Sequence, residues 1–236
     1  MEPNHLSKFP GLVCGQHLHT EGNVIIVDVP ITAEVRQAIA SQALVSGNEL
    51  ILLDTATLSE QLSALLSQFS ETRTLYVFPG NGAEHVQALA TPPFNPAVKV
   101  FAKRTWQPGS DPIVQAGEIC PGRIVLAEFE RVAVVDDVIS SGLTMAKLKQ
   151  RNDWKFPKAD WLGACWIAQV PRMRSRSGVN GYQTVAAAVL VEGKNGRRAP
   201  INSLSTLVED REIAESYATR HFQKPEQLLA ILNGLQ

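Results

Sequence analysis

Two rhythms of apolar residues alternate along this chain. Short β-branched runs bounded by turn formers predict strands, and apolar residues spaced three and four apart predict helices. Asn23–Val29 (NVIIVDV) predicts a strand that ends at Pro30, and Thr32–Ala43 follows as a helix with Val35, Ile39 and Leu44 at helical spacing. Glu49–Leu53 (ELILL) predicts a second strand. The next helix, Thr57–Phe69, carries Leu58, Leu62, Leu65 and Leu66 on one face, with Thr57 and Glu60 placed as a capping box. Thr74–Phe78 (TLYVF) is a third strand, running through the turn residues Pro79–Gly82 into a helix from Ala83. Val98–Ala102 and Arg131–Val135 are the fourth and fifth strands, and a helix from about Gly142 to Gln150 follows the latter. Thr184–Val191 predicts a further strand, with closing helices at Asp210–Phe222 and Pro225–Leu232. Strands regularly separated by helices imply βαβ units, so the expected fold class is α/β with a mostly parallel central sheet.

Two stretches have no such rhythm. Thr105–Gly122 is rich in Gly, Pro and Asp and sits between two strong strands. A loop longer than about 15 residues inside a compact domain is usually functional, often a lid over a site. Pro171–Gly181 carries Arg172, Arg174 and Arg176 among Ser and Gly and reads as an exposed connection, as does the turn Lys194–Arg198. The expected organisation is an N-terminal extension over 1–45, an α/β core over 46–170 and a C-terminal segment over 171–236, with the two outer segments building a hood.

Composition narrows the function classes. A chain of 236 residues can bury a sizeable core, and 44% apolar with 19% charged residues is ordinary for a globular protein. The formal charge of −1 gives no global reason to bind nucleic acid or a membrane surface. The apolar runs near Trp161–Val170 and Val185–Val191 fall short of the roughly 20 residues a membrane helix needs. Met1–Asn4 lacks the basic start of a secretory signal. Three cysteines, Cys14, Cys120 and Cys165, lie far apart, which points to reduced thiols in a cytoplasmic protein.

The chemistry concentrates in Arg131–Thr144 (RVAVVDDVISSGLT). Four apolar residues, Val132–Val135, make a buried strand. Asp136 and Asp137 then stand at its carboxyl end, where open α/β sheets place their ligands. Ser140, Ser141 and Gly142 lead through Leu143 and Thr144 into a helix, whose first N–H groups favour an anion. Glycine lets the backbone approach closely, and the carboxylates can accept from sugar hydroxyls or hold Mg²⁺. A ligand with a phosphate at one end and a cis-diol at the other fits both halves. Taken singly, each feature is also that of a plain buried strand with acids capping the next helix; their order together is not.

This segment resembles the 5-phosphoribosyl-1-pyrophosphate (PRPP) binding motif of the type I phosphoribosyltransferases: four apolar residues, two acids, two apolar residues, two small hydroxyl residues, Gly, any residue, Thr. The resemblance implies that Asp136 and Asp137 contact the ribose hydroxyls and Mg²⁺, and that Ser140, Ser141, Gly142, Leu143 and Thr144 wrap the 5-phosphate. More weakly it extends over about residues 46–150. Ser46-Gly47-Asn48, the following strand and Asp54 look like the entry to orotate-type members. Gly80, Asn81 and Gly82 fall where the family keeps its pyrophosphate loop. Lys103 and Arg104 stand where it places catalytic basic residues, and Lys103 is the expected one if only one reaches. The implied activity moves 5-phosphoribosyl from PRPP to a small nitrogenous acceptor, with Mg²⁺ as cofactor, in a homodimer. A non-catalytic PRPP sensor is the alternative. Ser140 stands where 6-oxopurine transferases carry an aspartate base, and Thr105–Gly122 lacks the Lys and His of orotate-type loops, so neither of those two activities is expected.

Other features compete less well. His17 and His19 would point one way on a strand, as metal ligands do, but no third ligand lies near in sequence. Trp106, Trp154, Trp161 and Trp166 suit a core more often than base stacking. Ile201–Thr206, small and polar, suits either an acceptor pocket or the loop into a capped helix.

Overall fold

The computed structural model describes residues 11–69, 72–91, 94–105, 113–120, 128–169, 181–193 and 198–235. Along the chain these form β1 (Leu12–Thr20), β2 (Val24–Val27), α1 (Ala33–Ala40), β3 (Ile51–Asp54), α2 (Thr55–Ser67), β4 (Thr74–Pro79) and α3 (Gly80–Leu89). Next come β5 (Ala97–Val100), β6 (Ala102–Thr105), β7 (Ile113–Ala116), β8 (Arg131–Ile139), α4 (Leu143–Asn152), β9 (Asp160–Gln169) and β10 (Thr184–Gly193). β11 (Ile201–Ser203), α5 (Leu204–Glu209), α6 (Arg211–His221) and α7 (Pro225–Asn233) complete the order. The chain divides into two compact units, Met1–Leu18 with Leu58–Leu190 and His19–Thr57 with Val191–Gln236.

The first unit is built on a six-stranded sheet in the order β1-β10-β9-β8-β4-β5. β5 with β4, β4 with β8 and β8 with β9 all pair in parallel. Such a sheet needs cover on both faces, which is why its central strands read as unbroken apolar runs. Val132 to Val135 and Ala164 are all fully buried. Leu148 and Met145 of α4 pack with Leu75, Val77 and Trp161 in one core. Trp161 meets Phe156 and Tyr182 edge-on, at ring-centroid distances of 6.1 and 5.8 Å. α2 buries Leu58, Leu62, Leu65 and Leu66, the face its spacing predicts, and Ser59 accepts a hydrogen bond from Trp166 Nε1 at 3.0 Å.

The second unit has its own parallel sheet, β11-β2-β3. All four residues of β2 are buried, and Ile39, Leu204, Leu207, Tyr217, Leu228 and Leu232 from the helices share a core with Ile25. Its helices start on side-chain caps, as their sequences allow: Thr32 for α1, Ser203 for α5 and Asp210 for α6, with Pro225 opening α7.

The fold is α/β with a mostly parallel central sheet, as expected, but the membership of that sheet differs. The expected strands Asn23–Val29 and Glu49–Leu53 form β2 and β3, which pair with each other, with β11 on the other side of β2, and not with β4. The βαβ rhythm is the same whether successive strands join one sheet or two. β1 is a nine-residue strand where no element was expected, and the division between units does not follow the 45/46 and 170/171 boundaries. Residues 171–180 and 194–197, with most of the two basic connections, lie outside the described residues. Among the described residues no helix is long and apolar enough to cross a membrane.

Candidate active site

β8 lies inside its sheet, flanked by β9 and β4, and its carboxyl end carries the acids. The strand continues to Ile139, beyond the expected end at Val135, so Asp136 and Asp137 are strand residues. Neighbouring strand residues point to opposite faces, which by itself would part the carboxylates. Each instead turns along its own backbone. Asp136 Oδ1 accepts from the Asp137 N–H at 3.0 Å, and Asp137 Oδ1 accepts from the Val138 N–H at 2.7 Å.

Ser140 and Ser141 follow, 7% and 4% exposed. Gly142 has φ 68°, a left-handed conformation that turns the chain from β8 into α4 and that a Cβ would strain. No side chain caps α4, so its first N–H groups are directed at this loop. A second helix start comes from α3, also without a side-chain cap. That helix begins at Gly80, three residues before the expected Ala83, so Gly80, Asn81 and Gly82 are its first turn and not a separate loop. A Cβ on Gly82 would stand 2.6 Å from Asp137 Oδ2. Glycine is what lets the start of α3 lie against this carboxylate.

The expected pattern-free segment Thr105–Gly122 is partly regular. β6 and β7 pair antiparallel, Lys103 opposite Gln115 and Arg104 opposite Val114, and Ile119 beyond them is fully buried. Residues 106–112 and 121–127 lie outside the described residues, so the expected lid is described only at Thr105 and over 113–120. Alternation separates the two basic residues. Arg104 shares the face of Val114, which is 8% exposed, and Arg104 Nη2 donates to Thr144 Oγ1 at 3.3 Å. Lys103 points the other way. Of the two, Arg104 is the one that contacts the Ser140–Thr144 loop. Both border a cleft of about 620 Å³, together with Gly80, Asn81 and the Lys99–Glu84 ion pair (3.1 Å).

Burial, and then the adjacent Asp137 carboxylate, push the Asp136 carboxyl well above its usual range; the Arg104 guanidinium offsets this only in part. A carboxyl whose folded-state pKa is raised holds its proton more tightly than the unfolded chain does. Its contribution to stability is full below the unfolded value and is lost as pH rises through the folded one. Asp136→Asn should therefore raise the melting temperature of the ligand-free protein at pH 7.5. The gain should shrink as pH falls and vanish near pH 4, about the unfolded carboxyl value. A melting series from pH 4 to 8 checks this, and a gain that does not depend on pH would contradict it.

One residue escaped the sequence reading. Asn152 is fully buried at the end of α4, where it accepts from the Ile119 N–H at 2.7 Å and donates to Gly117 O and Leu148 O. The available signal was a polar side chain in helical register with Met145 and Leu148. Trp161 and Trp166 are core, Trp154 is 71% exposed, and Trp106 and the three arginines 172, 174 and 176 lie outside the described residues. Ser203 caps α5, and Ser205 donates to Asp28 through N–H and hydroxyl. His19 Nδ1 lies 3.7 Å from Glu192 Oε2.

No family model matches the sequence, and no curated protein does. Solved structures to which the chain is similar include several phosphoribosyltransferases. A purine phosphoribosyltransferase from Pyrococcus horikoshii is 15% identical over 62% of this chain and 87% of its own, with a TM-score of 0.41. The xanthine-guanine-hypoxanthine enzyme of Helicobacter pylori is 10% identical over 67% and 91%, with a TM-score of 0.43. An orotate phosphoribosyltransferase from Aeropyrum pernix is 16% identical over 66% and 91%, with a TM-score of 0.37.

Proposed function

We propose that this protein transfers 5-phosphoribosyl from PRPP to a small nitrogenous acceptor with release of pyrophosphate. One observation carries the reading: the adjacent carboxylates Asp136 and Asp137 lie beside two uncapped helix starts, with Arg104 reaching across to Thr144. The start of α4 with Ser140–Thr144 suits the 5-phosphate, the carboxylates suit the ribose hydroxyls, and the start of α3 suits the pyrophosphate together with Arg104, which lines the same cleft as Gly80 and Asn81. The pair also fits Mg²⁺, because a divalent cation on hard oxygen ligands relieves the repulsion that raises the Asp136 carboxyl. Bound there, Mg²⁺ supplies charge neutralisation on the departing pyrophosphate. In the transfer the C1–O bond breaks and its electron pair leaves with pyrophosphate. An acceptor nitrogen lone pair forms the N–C1 bond, and the nitrogen's proton passes to solvent. Arg104 stabilises the leaving oxygens as negative charge builds on them.

A sensor that holds PRPP without turning it over would use the same residues, and the lack of Lys and His in Thr105–Gly122 favours it. Pyrophosphate release from PRPP, assayed with a panel of purines, pyrimidines and other nitrogenous acceptors, separates the two. Release that depends on one acceptor supports transfer, PRPP binding without release supports the sensor, and no binding at all overturns both.

The basic residues give a sharper test. Charge-assisted hydrogen bonds are worth about 1.5–3 kcal/mol, so Arg104→Ala should weaken PRPP binding roughly ten- to hundred-fold. Ribose 5-phosphate lacks the pyrophosphate and should bind the variant nearly as before. Lys103→Ala should cost PRPP less than about threefold, the scale of an exposed charge. Titration calorimetry with both ligands reads the difference. Equal losses for PRPP and ribose 5-phosphate would remove Arg104 from the pyrophosphate site.

A further inference from the structure

We propose that Asn152 is a positioning residue for Arg104: it fastens the β6–β7 hairpin to the far end of α4 so that the hairpin lays Arg104 on the first turn of the same helix. The inference rests on the reading that Arg104 meets pyrophosphate.

The fastening is made of hydrogen bonds on both sides of the hairpin's base. Asn152 takes the Ile119 N–H on Oδ1 at 2.7 Å and gives Nδ2 to Gly117 O at 3.2 Å. The Gly117 N–H in turn donates to Phe101 O at 2.8 Å, which ties the strand leaving the hairpin to the residue just before it. Around Asn152, Arg151 and Lys155 pair with Glu118 at 3.2 and 3.0 Å, and Lys155 also donates to Ile119 O at 3.1 Å. Residues 117–119 are therefore held at the C-terminal end of α4 by backbone and side chain alike. From there β7 packs against α4, and Arg104, the register partner of Val114, meets Thr144 in the helix's first turn.

The two lengths match. Thr144 and Asn152 are eight residues apart on the helix, about 12 Å at 1.5 Å per residue. Gly117 and Val114 are three residues apart on the strand, about 10 Å at 3.4 Å per residue. Val114 is the register partner of Arg104, so fixing Gly117 at Asn152 delivers Arg104 to Thr144. Arg104 itself is exposed and has long rotatable arms, so the local chain does not place it. A buried amide satisfied on both its oxygen and its nitrogen is a rigid anchor, and this one lies outside the site it serves.

The test combines affinity with a coupling measurement. Asn152→Ala should weaken PRPP binding about tenfold while ribose 5-phosphate changes less than twofold, a split that general loss of stability does not produce. In an Arg104→Ala background the same substitution should cost PRPP less than twofold more, because the group it positions is gone. Full additivity, or equal losses for both ligands, overturns the proposal. Should Asn152→Ala fail to fold, Glu118→Ala cuts the outer part of the fastening and should show the same split at about threefold; no split there also overturns it. If Arg104→Ala alone fails to discriminate PRPP from ribose 5-phosphate, the pyrophosphate reading falls instead. Hydrogen exchange then decides the fastening without any ligand: faster exchange confined to 102–105 and 113–119 in the variant supports it, and unchanged exchange overturns it.

Discussion

Asp136→Asn combined with Asp137→Asn should abolish the thermal stabilisation that PRPP with Mg²⁺ gives the parent protein. A ligand that binds only the folded state at a hundred times its Kd adds about 2.7 kcal/mol. In a chain of this size that is a rise of about 5–10 °C. Both amides keep the shape of the acids and can still accept at Oδ1 from the Asp137 and Val138 N–H groups, so the backbone turns at 136–138 survive. The negative charge that holds Mg²⁺ does not survive, nor does the ability of both oxygens to accept from ribose hydroxyls. The ligand-free double variant should melt no lower than the parent, because the buried charge on Asp136, and then its repulsion with Asp137, are gone. Scanning calorimetry with and without PRPP and Mg²⁺ measures both quantities. A double variant that responds to PRPP as the parent does would show that the ribose lies elsewhere.

The second large effect is expected from a single added methyl group. Gly82→Ala would set a Cβ 2.6 to 2.8 Å from three atoms of the Asp137 carboxyl group, closer than carbon and oxygen can pack. Either the carboxylate swings away or the first turn of α3 backs off, and both separate groups that the reading brings onto one ligand. PRPP affinity should fall about hundred-fold, equivalent to about 2.7 kcal/mol. Stability should hold, since alanine is a better helix residue than glycine by about 1 kcal/mol. Calorimetric titration of a variant that melts like the parent isolates the effect. An affinity within threefold of the parent's would mean that Asp137 and α3 do not act on the same molecule.

The parts of this protein that could be read from sequence are those whose signal is local. The strand, acids, small loop and helix at 132–145 succeed one another without interruption, so their order shows in the residues themselves. What depends on long-range pairing did not show. β2 and β3 look like the first strands of a single sheet until β11, far along the chain, pairs with β2 in place of β4. β1 is an edge strand of mixed polarity, partly exposed along its length, so neither rhythm of apolar residues marks it. That Arg104 contacts Thr144 was not legible either, because it follows from the pairing of Arg104 with the buried Val114 across the hairpin. Gly82 was seen as a turn former, but the reason for glycine there is a carboxylate 55 residues later in the chain.

The second unit is assembled from two segments far apart in the chain, His19–Thr57 and Val191–Gln236, and this has a consequence during synthesis. Val24–Val27, all buried in the finished protein, leave the ribosome more than 170 residues before Ile201, the first residue of the strand that flanks them. At about 5–20 residues per second the wait is roughly 10–35 s. Through that interval a β-branched edge is available for unwanted pairing, with the covering residues Leu204, Leu207, Tyr217 and Leu228 still to be made. Slow translation, or a stall before Ile201, prolongs the exposure. The first unit, continuous from Leu58 to Leu190 apart from β1, can instead collect most of its sheet as it emerges.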